Sequence, residues 1–314
     1  MSMAAPQAIA VPRPRRSRLG EALARMKRNR IGFVLCALGP VLALFALIRI
    51  YPIAETIRLS FFDYHITRRR TPFVGLQNYL YLFKDSAFHD ALVNTIAFSV
   101  LAVVITLLIA LAIAILLRSI EKAAPTFELL FYIPVVTPWV PASVIWKWIY
   151  DPTHGVINYF LSFFGVPRLG WLLDPKLIVL ALVVVSVWKL VGYFVVIYGV
   201  GLRAIPEEVL EAASLDGCSA WQKICHIVLP LLRPIILFTV VTCTIICFNV
   251  FAPVYVLTAS SQGAPAYDLK VVVGEIYSNG FVYYHMGYAG AQCVVLLLFV
   301  MSLLVVQFLA FREK

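Results

Sequence analysis

The sequence predicts an all-α integral membrane protein that crosses the bilayer six times and carries a two-helix segment outside it. Three observations support that reading. First, 62% of the 314 residues are hydrophobic and only 13% are charged, about half the charged share usual for a soluble domain. So much apolar side chain exceeds what one water-soluble core can bury, and the excess must face lipid. Second, uncharged apolar runs of spanning length recur along the chain, the clearest being residues 91–117. Third, Arg13, Arg15, Arg16, Arg18, Arg25, Lys27, Arg28 and Arg30 precede the first such run and are opposed only by Glu21. Positive flanks of this kind fix membrane orientation. A nucleic-acid-binding arm would also be basic, but here an apolar span follows at once.

Residues 1–30 form the basic tail, and its Ala-, Pro- and Arg-rich part up to about residue 18 is expected to be disordered. The tail does not read as a cleavable signal, because the apolar stretch after it is too long and no small-residue cleavage site follows. Residues 31–311 form one transmembrane domain with spans at about 31–54, 91–117, 129–149, 177–200, 234–257 and 287–311. The third span contains Pro134, Pro138 and Pro141. Prolines leave backbone carbonyls without partners, so this span is expected inside a bundle or beside a cavity rather than alone in lipid.

With the N-terminus in the cytoplasm, 15 of the 26 Lys and Arg fall on the cytoplasmic side, and both termini lie there. The outer loops are then 55–90, 150–176 and 258–286. None of the extramembrane segments is long enough for an enzymatic domain. No GxxxxGK[ST] phosphate loop is present, so the chain is expected to bind neither ATP nor another cofactor. The six cysteines form no CxxC pair, and Cys218, Cys225 and His226 fit no common zinc spacing. They read as reduced thiols packed as small apolar groups, with no metal site and no catalytic residue.

The chemistry sits at 205–234, between spans four and five and therefore cytoplasmic. Pro206 suits a first helical turn, and Glu207 and Glu208 follow at the positive end of the dipole. The first helix should end at Asp216-Gly217, where glycine can take a left-handed conformation. Ser219-Ala220-Trp221-Gln222 is a capping-box pattern that starts a second helix, and Trp221, Ile224 and Val228 give it an apolar stripe. Helices this short are marginal in water alone. A compact, capped pair with exposed carboxylates and an aromatic reads as a docking knob. It carries more acids than bases and is tied to the bilayer at both ends, which disfavours a DNA-binding helix-turn-helix.

Glu211-Ala212-Ala213, three residues, Gly217, nine residues, Ile227, one residue, then Leu229-Pro230 closely resembles the EAA signature of binding-protein-dependent importer permeases. The resemblance extends over nearly the whole chain. Tyr51-Pro52, Ser60-Phe61, residues 74–79, Asn94-Thr95, Ile133-Pro134, Trp146-Lys147-Trp148, Trp171-Leu172 and Trp188-Lys189 look like the sugar-importer subgroup. Within it the chain is most similar to the first of the two permeases of maltose-type and glycerol-3-phosphate-type systems. It departs from the subgroup at Ile224, often Phe; at Cys218, often Ala; and at residues 258–265, where Thr-Gly-Gly-Pro is usual.

The resemblance implies a type I ABC importer permease bundle in a bacterial inner membrane. It implies a second permease, two ATPase subunits that hold ATP and Mg, and an extracytoplasmic binding protein that delivers a sugar or sugar-like solute. It places ATPase coupling on Glu211, Ala212, Ala213, Asp216, Gly217, Trp221, Ile224, Leu229 and Pro230, with Asp216 acting chiefly as a local cap. Alternating access would then be rigid-body motion.

For the solute path the polar residues within spans are the candidates: Lys189, Tyr193, Asn249 and Asn94. Thr242 and Thr244 read as back-bonded to their own helix. Lys189 leaves three readings open: snorkelling, interhelical pairing or solute contact. The alternative class, an ion-coupled secondary transporter, would place carboxylates within the spans, and spans two to five as drawn contain none.

Overall fold

The computed structural model of the chain describes residues 30–120, 123–258 and 269–312. The basic tail before residue 30 and most of the departing loop at 258–265 lie outside the described residues. The chain divides into two units, residues 1–56 and 57–314. In the first unit, α1 (Arg30–Phe45) passes through a π-helical turn, Ala46–Ile50, into α2 (Tyr51–Leu59), whose last three residues belong to the second unit. Pro52 has no N–H for the carbonyl four residues back, and the widened turn lies just before it.

The second unit is helical throughout its described residues, apart from loops and two isolated bridges. A short helix, α3 (Gln77–Leu82), precedes the long α4 (Ser86–Arg118). Asp85 caps α4 by accepting the Ala87 N–H at 3.0 Å. Next come α5 (Ala124–Val136), α6 (Trp139–Ile149), α7 (Val156–Ser162) and α8 (Pro175–Arg203), the last capped by Asp174. The knob comprises α9 (Glu207–Leu215), α10 (Ala220–Lys223), a π turn at Ile224–Val228 and α11 (Leu229–Leu231). The chain ends with α12 (Arg233–Phe248), α13 (Ala252–Thr258), α14 (Val272–Tyr277) and α15 (Met286–Arg312).

Among the described residues, four helices are long and apolar enough to cross a membrane, and the number rises to six where each of two bent pairs is one span. Two of the expected spans are not continuous. The third starts earlier than expected, at Ala124, and turns through 95° between α5 and α6. Pro138 lies at that turn, with extended backbone that removes it from either helix. The fifth does not run to residue 257. Its helix α12 ends at Phe248, about 24 Å long at 1.5 Å per residue, and Asn249–Phe251 interrupt it before α13.

Helix α8 is the centre of the second unit. Its side chains are buried along much of its length, packed with α4, α5 and α12. Tyr198 Oη and Thr239 Oγ1, 2.8 Å apart, join α8 to α12. At Gly192, α8 meets the backbone of α5. A Cβ there would lie 1.9 Å from the Phe131 carbonyl oxygen. Gly192→Ala is therefore expected to force the two helices apart at a cost of roughly 1–3 kcal/mol, read as a lower unfolding temperature of the purified protein. An unchanged temperature would show that α5 yields freely.

Candidate functional site

The knob is built almost wholly from local sequence signals. Glu207 and Glu208 occupy the first turn of α9 after Pro206, which sits at the N-cap. At the far end Gly217 has φ +78°. The Cys218 N–H bonds to the Ala213 carbonyl at 3.0 Å and the Gly217 N–H to the Ser214 carbonyl at 3.1 Å. That pair is the Schellman arrangement, which satisfies carbonyls the helix end would leave open. Two residues on, the capping box closes: Ser219 Oγ accepts the Gln222 N–H at 3.3 Å and Gln222 Oε1 accepts the Ser219 N–H at 2.8 Å. Lys223 Nζ donates to Ser214 Oγ and ties the two helices together. The second helix then widens at Ile224–Val228, and a 70° bend at Leu232 leads into α12.

One side of this pair is anchored and the other is open. Ile205, Ala213 and Val228 are buried, and Leu210 packs on the main core. Glu211, Ala212, Asp216 and Gly217 are exposed, as is Pro230; Ile224 and Leu229 are half-buried. Ala213, expected at a docking surface, instead faces the chain's own body. Asp216 is the C-cap residue of α9. Trp221 is 72% exposed, and Leu215 is 90% exposed. Sequence reasoning missed Leu215. The signal was its spacing: four residues after Glu211, it lies on the acidic face rather than the Leu210 face.

The candidate path residues separate into different roles. Lys189 is 4% exposed. Its ammonium donates to the carbonyls of Pro134 at 2.6 Å and Val135 at 2.8 Å, and lies 5.4 Å from the Trp139 ring centroid. Those carbonyls end α5, where Pro138 has no N–H to offer and the chain turns away. Lys189 thus makes an interhelical pairing with the negative end of a broken helix. Asn94 Nδ2 donates to the Lys270 carbonyl at 3.0 Å, and Thr95 Oγ1 accepts the Val272 N–H at 3.0 Å. The pair pins the start of α14 to α4. Tyr193 is half-buried and packs edge-on against Phe194. Thr244 is not simply back-bonded, since its Oγ1 accepts from Gln307 Nε2 at 3.0 Å.

Of the four path candidates, Asn249 borders a cavity. That space, about 260 Å³, lies where the two interrupted spans meet, bordered by Trp139 at the start of α6, Ser186 and Leu190 of α8, and residues 249–253. Asn249 stands at the α12 break, with its Nδ2 on the Ile245 carbonyl at 2.7 Å. Ser186 Oγ is buried with no hydrogen-bond partner among the described residues. The cavity is small and largely apolar, with two polar residues at its border. Ser186 and Trp139 were not foreseen from sequence. No group of three His, Cys, Asp or Glu that could hold a metal occurs among the described residues.

Comparison with known proteins agrees with this geometry. The family described as "Binding-protein-dependent transport system inner membrane component" matches residues 123–312. The chain is 30% identical over 281 residues to the osmoprotective compounds uptake permease protein GgtC of Synechocystis sp., covering 88% of this chain and 97% of that one. It is 30% identical over 278 residues to the sn-glycerol-3-phosphate transport system permease protein UgpA of Escherichia coli, with coverage of 88% and 92%. The trehalose/maltose transport system permease protein MalF of Thermococcus litoralis is 28% identical over 280 residues, with coverage of 89% and 92%. The fold is shared with a chain of a bacterial ABC transporter involved in the import of the acidic polysaccharide alginate, at TM-score 0.77 and 20% identity, covering 93% of this chain and 98% of that one. A matched family over most of the chain, two relatives at 30% identity and a bundle with a capped EAA knob converge: the chain belongs to the inner membrane components of binding-protein-dependent transport systems, the permeases of ABC importers.

Proposed function

We propose that this permease pairs with a second one to form the path for a sugar or sugar-like solute, delivered by an extracytoplasmic binding protein. The knob then lies on the cytoplasmic side, with both termini, and seats in a cleft of one of two ATPase subunits, which bind the ATP and Mg. The observation that supports this best is a rigid, doubly capped knob whose open side carries Leu215 and Trp221. Large apolar side chains this exposed at the tip of a small element mark a protein contact. Glu211, on the same face, supplies a charge for a basic group of the partner. The solute crosses near the cavity bordered by Ser186 and Asn249. Names of relatives support the solute class: osmoprotective compounds, trehalose/maltose and sn-glycerol-3-phosphate.

Ion coupling has no support among the relatives. Glu128, which lay just outside the span as drawn from sequence, falls inside α5, but it is paired with Arg203 at 2.8 Å. Leu215→Asp combined with Trp221→Ala is expected to lower co-purification of the ATPase roughly tenfold or more, since central apolar anchors each contribute about 1–2 kcal/mol or more. Uptake should fail with it while the protein stays in the membrane. ATPase capture and uptake at wild-type levels would refute the knob's role.

A further inference from the structure

Helix α7 is amphipathic in the reverse of the sense that suits water. The helix and the turn after it carry Val156, Tyr159, Phe160, Phe163 and Phe164, all exposed, Phe164 to 83%. Their spacing, i, i+3, i+4, i+7 and i+8, is that of a single apolar stripe. On a water-facing helix such a stripe turns toward the core. Here the other side does: Ile157 packs on the main core, and the buried residue is Asn158. Asn158 Oδ1 accepts the Leu169 N–H at 3.2 Å and the Trp171 Nε1–H at 3.0 Å, and its Nδ2 donates to the Leu169 carbonyl at 2.9 Å. A satisfied polar anchor thus holds the stripe outward. The far end is fixed as well. Gly165 has φ +70°, the Val166 N–H bonds to the Leu161 carbonyl at 3.2 Å, and the Gly165 N–H bonds to the Ser162 carbonyl at 3.1 Å. This is the same glycine cap as on the knob.

The depth of α7 follows from α8, which has the knob at one end and α7 at the other. The 29 residues of α8 span about 44 Å at 1.5 Å per residue. Upright and centred, α8 overhangs a hydrocarbon core of about 30 Å by about 7 Å at each end. Ala181 lies about 9 Å along α8 from Pro175, level with the hydrocarbon edge. Tyr150 Oη donates to its carbonyl at 2.9 Å. The Trp171 ring, held by Asn158, is 5.9 Å from the Tyr150 ring. Helix α7 is therefore tied to the protein at the level where the hydrocarbon ends. The apolar stretch 155–167 carries no Asp, Glu, Lys or Arg; it is too short to cross a bilayer and has the length of an interfacial segment. Arg168 and Lys176 follow it, both exposed.

We propose that α7 is a membrane-surface anchor, its aromatic stripe lying among the phospholipid headgroups of the leaflet away from the knob. The proposal adds a lipid-binding surface to the permease and does not depend on which solute is carried. Phenylalanine and tyrosine on one face of a short helix suit the boundary between headgroups and acyl chains, and the two cations beside them match lipid phosphates. A soluble binding protein that comes and goes would leave the stripe bare in water between visits, and exposed apolar patches of that kind are liabilities. Lipid covers it at all times and needs no complementary shape.

The test uses the assembled importer, with its second permease and ATPase subunits, in vesicles of phosphatidylethanolamine and phosphatidylglycerol. p-Benzoylphenylalanine is placed at Phe164 and, as the water-side control, at Glu208, which is exposed on the knob. Irradiation products are identified by mass spectrometry. Position 164 should give at least about fivefold more phospholipid adduct than position 208, unchanged when binding protein is added. Phe160→Asp combined with Phe163→Asp should cut that adduct at least about fivefold, with ATPase capture retained. If this variant is lost from the membrane, the ratio of positions 164 and 208 in the parent chain decides. The proposal is overturned by an adduct at 164 formed chiefly with the second permease, the binding protein or another copy of this chain. A phospholipid adduct no greater than at 208, or one undiminished in the variant, overturns it too. None of these results touches the permease reading, which stands or falls on ATPase capture and ATP-dependent uptake.

Discussion

Gly217→Val is expected to abolish coupled uptake while leaving the protein in the membrane. Gly217 has φ +78°, and a Cβ placed there meets nothing within 4 Å. The penalty is therefore backbone strain rather than a clash. A left-handed conformation costs an L-residue roughly 1–2 kcal/mol, and a β-branched one is worse off. The turn also carries the two Schellman bonds at Ala213 and Ser214 and feeds directly into the capping box at Ser219. A change of φ at one residue thus re-aims the whole second helix, Trp221 included. Strain of this size shifts the population of the correct knob about tenfold per 1.4 kcal/mol, so uptake should fall by at least that factor. Gly217→Asn provides the internal control, because Asn tolerates the left-handed region; it should retain much of the activity. Uptake and ATPase capture, measured on membranes with matched permease content, decide the matter. Normal uptake by Gly217→Val would show that the knob's shape is irrelevant to coupling.

How much of this was legible in the sequence follows from the range of the interactions. The six apolar segments, the Asp-Gly stop and the Ser-Ala-Trp-Gln start are read from neighbours in the chain, and the structure places helices, a left-handed glycine and a closed capping box at those positions. The interruption at Asn249–Phe251 was not legible. Residues 234–257 carry no charge, and Asn249 and Pro253 do not by themselves distinguish one kinked helix from two shorter ones. The 95° turn in the third span was half legible: the prolines announced orphan carbonyls, but not where their partner would come from. Asn94 shows the same limit. As a polar residue in an apolar run it resembles a path residue, whereas its partner lies 176 positions away at Lys270. Leu215 was not singled out, because a leucine in an amphipathic helix carries no mark of its own, and only the direction in which α9 packs shows that it points outward.

Lys189 brings these threads together, and its replacement is the second large expected effect. Lys189→Met keeps the stem's length and removes the ammonium. The carbonyls of Pro134 and Val135, now 2.6 and 2.8 Å from Nζ, would lose their donor at the end of α5. Each buried carbonyl left unpaired costs roughly 1–3 kcal/mol, and no lipid or apolar neighbour can replace the bond. The 95° turn that sets the start of α6, and with it Trp139 beside the Ser186–Asn249 cavity, depends on that cap. The expected result is a marked loss of folded protein and a lowered unfolding temperature, with the half-saturation constant of the surviving transporter unchanged. A variant present at full level, with its half-saturation constant raised several-fold for an anionic solute and not for a neutral one, would reassign Lys189 from helix cap to solute contact. The two outcomes differ because the ammonium already has two acceptors. A solute could claim it only by displacing a carbonyl, and the chain would then have to break the same turn each time it carried a molecule across.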